Sequence, residues 1–152
     1  MSVEGLERLD VWVKAREFAF IVHKEVLPLF PPEEKWAMAQ QIQRSTQSIP
    51  ANIAEGYGRY YYQHNVRFCY IARGSLNETL SHLVLARDLA YISESLFTLL
   101  VRESESLVRL INGYIGYLKR ERRGADEPGS LPAVKESTEE YISDPVDDVS
   151  TV

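Results

Sequence analysis

Through the first 120 positions apolar residues recur at intervals of three and four, and almost nowhere do they alternate over four or more residues. That period predicts helices and excludes a half-buried sheet. In a first segment Trp12, Ala15, Ala19, Val22, Val26 and Leu29 form one stripe, with Asp10 placed as an N-cap and Pro28 and Pro31-Pro32 as terminators. A second segment opens on Glu33-Glu34, which suit the positive pole of a helix, and carries Trp36, Ala39, Ile42, Thr46, Ile49 and Ile53. Pro50 lies inside that stripe, so the helix should kink near residues 46–50 or restart at Pro50; Gly56 and Gly58 should close it. A third segment runs from Tyr60 to about Tyr91, with Cys69, Ala72, Leu76, Thr79, Leu83, Ala86 and Ala90 on its seam. A fourth begins near Ser93, carries Leu96, Leu100, Leu107, Leu110, Ile111, Tyr114 and Leu118, and ends at Lys119-Arg120-Glu121-Arg122-Arg123-Gly124, where cations meet the negative pole and Gly124 offers a left-handed cap. Short connections then predict an all-α, antiparallel up-down-up-down four-helix bundle over residues 1–123.

Charge separates that body from the C-terminal segment. Residues 1–123 carry 16 Lys/Arg against 14 Asp/Glu, whereas residues 124–152 carry one Lys against eight acids. The latter segment also holds Pro128, Pro132 and Pro145 and few large apolar residues, so it reads as a flexible, disordered acidic C-terminal tail: either a solubilising extension or an electrostatic decoy for basic surface. Apolar runs such as Phe18 to Val22 and Leu96 to Val101 fall far short of the roughly 20 residues that span a bilayer. The acidic start, Met1-Ser2-Val3-Glu4-Gly5, lacks a secretory or myristoylation pattern, and the expectation is a cytoplasmic protein with no membrane partner. Cys69 is the only cysteine, which excludes an intrachain disulfide, a cysteine zinc cluster and a CxxC redox pair.

Enzymatic constellations fare poorly. A bundle di-metal site needs Glu-x-x-His motifs, but none of His23, His64 and His82 lies three residues after a Glu; Glu78 and His82, four apart, read as a helix-surface pair. No metal or cofactor is expected. Glu55 and Glu78 could be proposed as an acid/base pair, but a hairpin folding back around residues 57–62 pairs positions summing to roughly 119 and separates the two carboxylates by some 20 Å. Glu55 would then lie beside His64 and Arg67, and Glu78 beside Gln41 and Arg44. Structural pairs of Arg44 with Glu78 and of Glu55 with Arg67 or His64 follow, with Asn52 as a further structural polar residue. Ser75 has neither an elbow nor an adjacent base. Gly74 implies close helix approach or a subunit contact.

Surface interest concentrates in Tyr57-Gly58-Arg59-Tyr60-Tyr61-Tyr62-Gln63-His64-Asn65-Val66-Arg67. Successive helical positions point about 100° apart, so the three adjacent tyrosines cannot all face one core and at least one should be exposed. Arg59, Tyr60, Tyr61, Tyr62, His64 and Arg67 therefore form a candidate surface for single-stranded RNA or for a protein partner, or an aromatic plug at the hairpin end. Lys119, Arg120, Arg122 and Arg123 form a second basic spot that helix capping alone would explain. In the fourth helix Phe97, Val101, Val108 and Ile115 make a second apolar row available to neighbouring subunits.

Five stretches together carry a resemblance over nearly the whole body: residues 9–15 (Leu9 to Ala15), Phe30-Pro31, residues 41–45 (Gln41 to Ser45), residues 48–56 (Ser48-Ile49-Pro50-Ala51-Asn52-Ile53-Ala54-Glu55-Gly56) and residues 71–78 (Ile71 to Glu78). In these the chain resembles the bacterial four helix bundle proteins, also called ribosomal-RNA intervening-sequence proteins because some are encoded within inserts in large-subunit rRNA genes. The resemblance implies a small homo-oligomer, often a five-fold ring, with no catalytic activity. A related group, the strongly basic accessory proteins of diversity-generating retroelements, associates with a reverse transcriptase and with nucleic acid. The expectation is thus a non-enzymatic, oligomeric binding or scaffolding subunit associated with RNA or a nucleic-acid enzyme. The alternatives are a protein–protein adaptor with no nucleic-acid role, or an enzyme with a small-molecule site between subunits.

Overall fold

A computed structural model describes residues 1–129, and among these there are five α-helices and no strand. Helix α1, Val3–Glu7, is a single short turn that the periodicity does not reveal; the Ser2 hydroxyl caps it by accepting from the Gly5 N–H at 3.1 Å. Helix α2 spans Asp10–Ile21 and continues as a π turn, Val22–Val26, and a 3-10 turn, Leu27–Leu29, so the chain stays helical as far as the sequence period implied. Its buried face is Val11, Ala15, Phe18, Val22 and Val26, whereas Trp12 and Ala19 are only half-buried and Leu29 is exposed. Phe18, with far more apolar area than Ala19, fixes that rotation. Asp10 is the first helical residue and not the cap; Leu9 holds the N-cap position without a side-chain bond.

The second predicted helix starts later than expected. Pro32–Glu34 is one 3-10 turn, α3 is Met38–Tyr57, and Trp36 is 75% exposed, outside the stripe that Ile42, Thr46, Ile49 and Ile53 bury. Glu34 still serves the helix terminus, because its carboxylate accepts from the Met38 N–H at 3.2 Å. Pro50 lies inside α3 and leaves the Thr46 carbonyl without its usual donor, while the Asn52 amide donates to the Ser48 carbonyl and hydroxyl, both at 2.8 Å. Helix α4, Tyr62–Asp88, ends before Tyr91, with Ala90 left-handed at φ 61°. Helix α5, Glu94–Glu121, is capped by the Ser93 hydroxyl on the Leu96 N–H at 3.1 Å. Its left-handed C-cap is Arg122 at φ 50°, and Gly124 supplies a second positive φ of 77° in the turn beyond.

The long helices close a ring of contacts, α2 on α3, α3 on α4, α4 on α5 and α5 on α2. Inside it Phe18, Ile42, Ile49, Ile53, Leu76, Leu83, Leu100, Leu107 and Ile111 are fully buried. Lys14 and Glu103 tie α2 to α5 through a half-buried ion pair. Residues 124–129 fold back onto the bundle: the Tyr62 N–H donates to the Arg123 carbonyl at 3.1 Å, and Ala125 packs against the core. The rest of the acidic segment assigned to a disordered tail, from residue 130 on, lies outside the described residues.

Cys69 is buried on the α4 seam, and burial pushes its thiol up to about 12. Folded protein at pH 8 should therefore resist an alkylating reagent that modifies the denatured chain at once; fast stoichiometric labelling of the native state would contradict this placement. Because the unfolded thiol ionises near 9.0 and the folded one near 12, the unfolded state binds fewer protons across that window. Stability should fall as pH rises from about 9, and Cys69→Ala should flatten the fall.

Candidate functional site at the hairpin end

The α3–α4 connection, residues 58–61, brings its aromatic residues against the last turn of α5. Tyr62 begins α4 and is buried, Tyr61 is half-buried, and Tyr60 is 44% exposed; one tyrosine is exposed as expected, but Tyr60 and Tyr61 precede the helix, so the extended connection and not the helical 100° step separates them. A cleft of about 440 Å³ opens here, lined by Tyr57, Arg59, Tyr60, Tyr62, Asn65, Tyr114, Tyr117, Leu118, Glu121 and Arg123. A second of about 340 Å³ shares Tyr57, Arg59, Tyr60 and Arg123, so those four residues form the ridge between two hollows.

Each wall has a clear physical basis. The Tyr114 and Tyr117 rings, one turn apart on α5, stack at 6.3 Å with an interplanar angle of 13°. The Asn65 amide donates to the Tyr114 hydroxyl at 3.0 Å, and burial pushes that phenol up to about 12. The Arg123 guanidinium lies over the Tyr60 ring, 4.5 Å from its centroid. Tyr60 in turn donates to the Glu127 carboxylate, and this bond is the chief reason its phenol is raised. Both phenols are thus neutral donors at ordinary pH. Stacking faces, hydroxyls and two guanidinium groups suit an anionic or planar ligand.

Among the residues predicted for a partner surface, Arg59, Tyr60, Tyr62 and Arg123 line this cleft. Tyr61 packs edge-on against Tyr60 and His64, at 5.2 and 5.8 Å, and its hydroxyl donates to the Pro128 carbonyl at 2.7 Å. Arg67 is exposed further along α4. Lys119 turns to α4 and donates to the Tyr70 hydroxyl at 2.8 Å, while Arg120 and Arg122 are exposed outside the cleft. Tyr57 and Asn65 belong to the stretch singled out in the sequence, whereas Tyr114, Tyr117 and Glu121 of α5 were missed as cleft residues. The available signal was that the end of α5 must return to the α3–α4 turn.

The expected polar pairs are replaced. Glu78 pairs with His82 at 3.6 Å, the helix-surface pair its spacing suggested, and Glu55 pairs with Arg59. Arg44 is exposed. The reason is register: Ser48 with Ser75 and Thr79 with Ser45 and Thr46 put contacting positions at sums of 123–125, about five beyond the expected value. The connection itself, residues 58–61, lies where expected, so the offset arises in how α3 and α4 pack along their length. Arg44→Ala should consequently change unfolding free energy by no more than about 0.5 kcal/mol; a loss of several times that in a urea melt would restore the buried pair. Asn52 bonds within α3, to Ser48. Gly74 makes no close approach to another helix, since among the described residues a Cβ there would meet no atom within 4 Å. The second apolar row of α5 is also turned inward, with Ile115 buried and Phe97 and Val108 packed on the core. Exposed apolar side chains lie instead at Leu99, Leu110 and Tyr117 on α5 and at Ile71, Val84 and Leu85 on α4.

These features define a helical-bundle protein with a tyrosine–arginine cleft at one end. The family model described as 23S rRNA-intervening sequence protein matches residues 7–113, and the chain belongs to that family. It is also similar to a solved structure from Bacteroides thetaiotaomicron, described as a protein with unknown function from the S23 ribosomal protein family. That similarity is 28% identity and a TM-score of 0.64, over 69% of this chain and 97% of the other. No curated protein matches the chain.

Proposed function

We propose that this chain is a non-enzymatic, self-associating bundle subunit that presents its hairpin-end cleft to RNA or to a ribonucleoprotein enzyme. The observation that carries self-association is the outer face of α5. Leu99, Ser106 and Gly113 repeat every seven residues beside Leu110 and Tyr117, and Leu99, Leu110 and Tyr117 are 42%, 38% and 49% exposed. Exposed apolar side chains gathered on one outer helical face, beside the small residues Ser106 and Gly113, suit a neighbouring copy. A five-fold ring follows from the family resemblance. On this reading the bundle runs up-down-up-down, supported by the residue pairs joining α3 to α4, and Pro50 bends α3 where its missing donor frees the Thr46 carbonyl.

RNA is supported by the family's description and by the ridge of Tyr57, Arg59, Tyr60 and Arg123, which offers stacking faces beside guanidinium groups. The test is the light-scattering mass of the purified protein together with the A260/A280 ratio of what accompanies it. A multimer that retains single-stranded RNA, and releases it steeply as salt rises, is expected. A monomer at every concentration would overturn self-association. A multimer whose partner binding ignores salt would replace RNA by a protein partner, for which the exposed tyrosines are suitable anchors.

A further inference from the structure

We propose that the hairpin-end cleft is an acidic-peptide site whose resident occupant is this chain's own acidic segment beyond Gly129, a deepening that rests on the cleft being the docking surface. The described residues already hold the first step of that docking. The Glu127 carboxylate accepts from the Tyr60 hydroxyl at the cleft wall, beside the Arg123 guanidinium that covers the Tyr60 ring. The Tyr61 hydroxyl holds the Pro128 carbonyl at 2.7 Å. Gly124 lies flat on Tyr61, where a Cβ would come within 2.6 Å of the ring, so the chain is delivered against this corner by close packing as well as by polar bonds.

Charge and reach complete the argument. Residues 130–152 carry six acids and one Lys, while the cleft wall presents Arg59 and Arg123 against Glu121, with Arg120 and Arg122 exposed outside it. The 23 residues beyond Gly129 could extend to about 75 Å, enough to cross both hollows. Tethering supplies an effective concentration on the order of 1 mM, so an interaction weak between separate molecules is well populated within one. The acidic segment then screens the cleft, and an anionic partner has to displace it.

The test uses the full-length, isotopically labelled chain with Ser143→Cys carrying a nitroxide. Cys69 stays unlabelled because its thiol is buried and raised. Amide signals of residues 57–60 and 114–117 should lose most of their intensity at low salt, and those of residues 83–89 should not. The loss should reverse in about 1 M salt, where screening acts within about 3 Å. It should also reverse in Arg59→Gln/Arg123→Gln. Absence of broadening, even broadening over the whole surface, or broadening that survives both treatments would overturn the proposal. The measurement needs no RNA, so a cleft that holds the segment yet never binds RNA counts against the RNA reading alone.

Discussion

Gly56→Ala should lower the unfolding free energy by about 1–3 kcal/mol, whereas Gly74→Ala, in a helix of the same bundle, should raise it by about 0.5–1 kcal/mol. Gly56 is buried near the end of α3, close against α4: an added Cβ would sit 2.7 Å from Asn65 Oδ1, 2.9 Å from Phe68 Cβ and 3.0 Å from the Asn65 carbonyl. The last of these is backbone, so relief requires α3 and α4 to separate and not merely a side chain to turn. The move would also disturb the Asn65 amide that donates to Tyr114, loosening the cleft wall. At Gly74 an added Cβ would meet no atom of another element within 4 Å among the described residues, and alanine there gains helix propensity without a clash. Urea melts of the two variants give the comparison directly. Equal losses at both sites would mean that Gly74 is packed against something, and a fall in assembly mass for Gly74→Ala would identify that something as a second copy.

The same contrast shows what could be read from the chain and what could not. Helix identity was legible because each long segment repeats apolar residues at a helical period, and Ser93 and the Lys119–Arg123 run marked the α5 ends to within a residue or two. Face and register were less accessible. Rotating the α2 stripe from Trp12 and Ala19 to Val11 and Phe18 takes one position, and both sets step by three and four. The α3–α4 register is set by packing along the two helices and not by the place of their connection, and an offset of about five was enough to part Arg44 from Glu78, which pairs with His82. In the cleft, Arg59, Tyr60 and Tyr62 were legible because they are near neighbours in sequence. Tyr114 and Tyr117 were not, since only tertiary packing brings the end of α5 to the turn.

Thr79→Val should cost about 1–3 kcal/mol although it keeps the shape of the side chain. Thr79 is fully buried between α3 and α4; its hydroxyl donates to Ser45 Oγ at 2.8 Å, lies 2.9 Å from the Ser75 carbonyl, and meets Thr46 Oγ1 at 3.4 Å. Ser45 already spends its own proton on the Ile42 carbonyl at 3.2 Å, so it depends on Thr79 to satisfy its oxygen in a seam that water does not reach. The cost therefore comes mainly from the orphaned partner and not from the bond itself. Ser45→Ala/Thr79→Val, which removes both ends, should cost clearly less than the two single changes added together. If the double variant equals that sum, the two hydroxyls act independently, and the seam is held by its apolar neighbours Ile42, Ile49 and Leu76 alone.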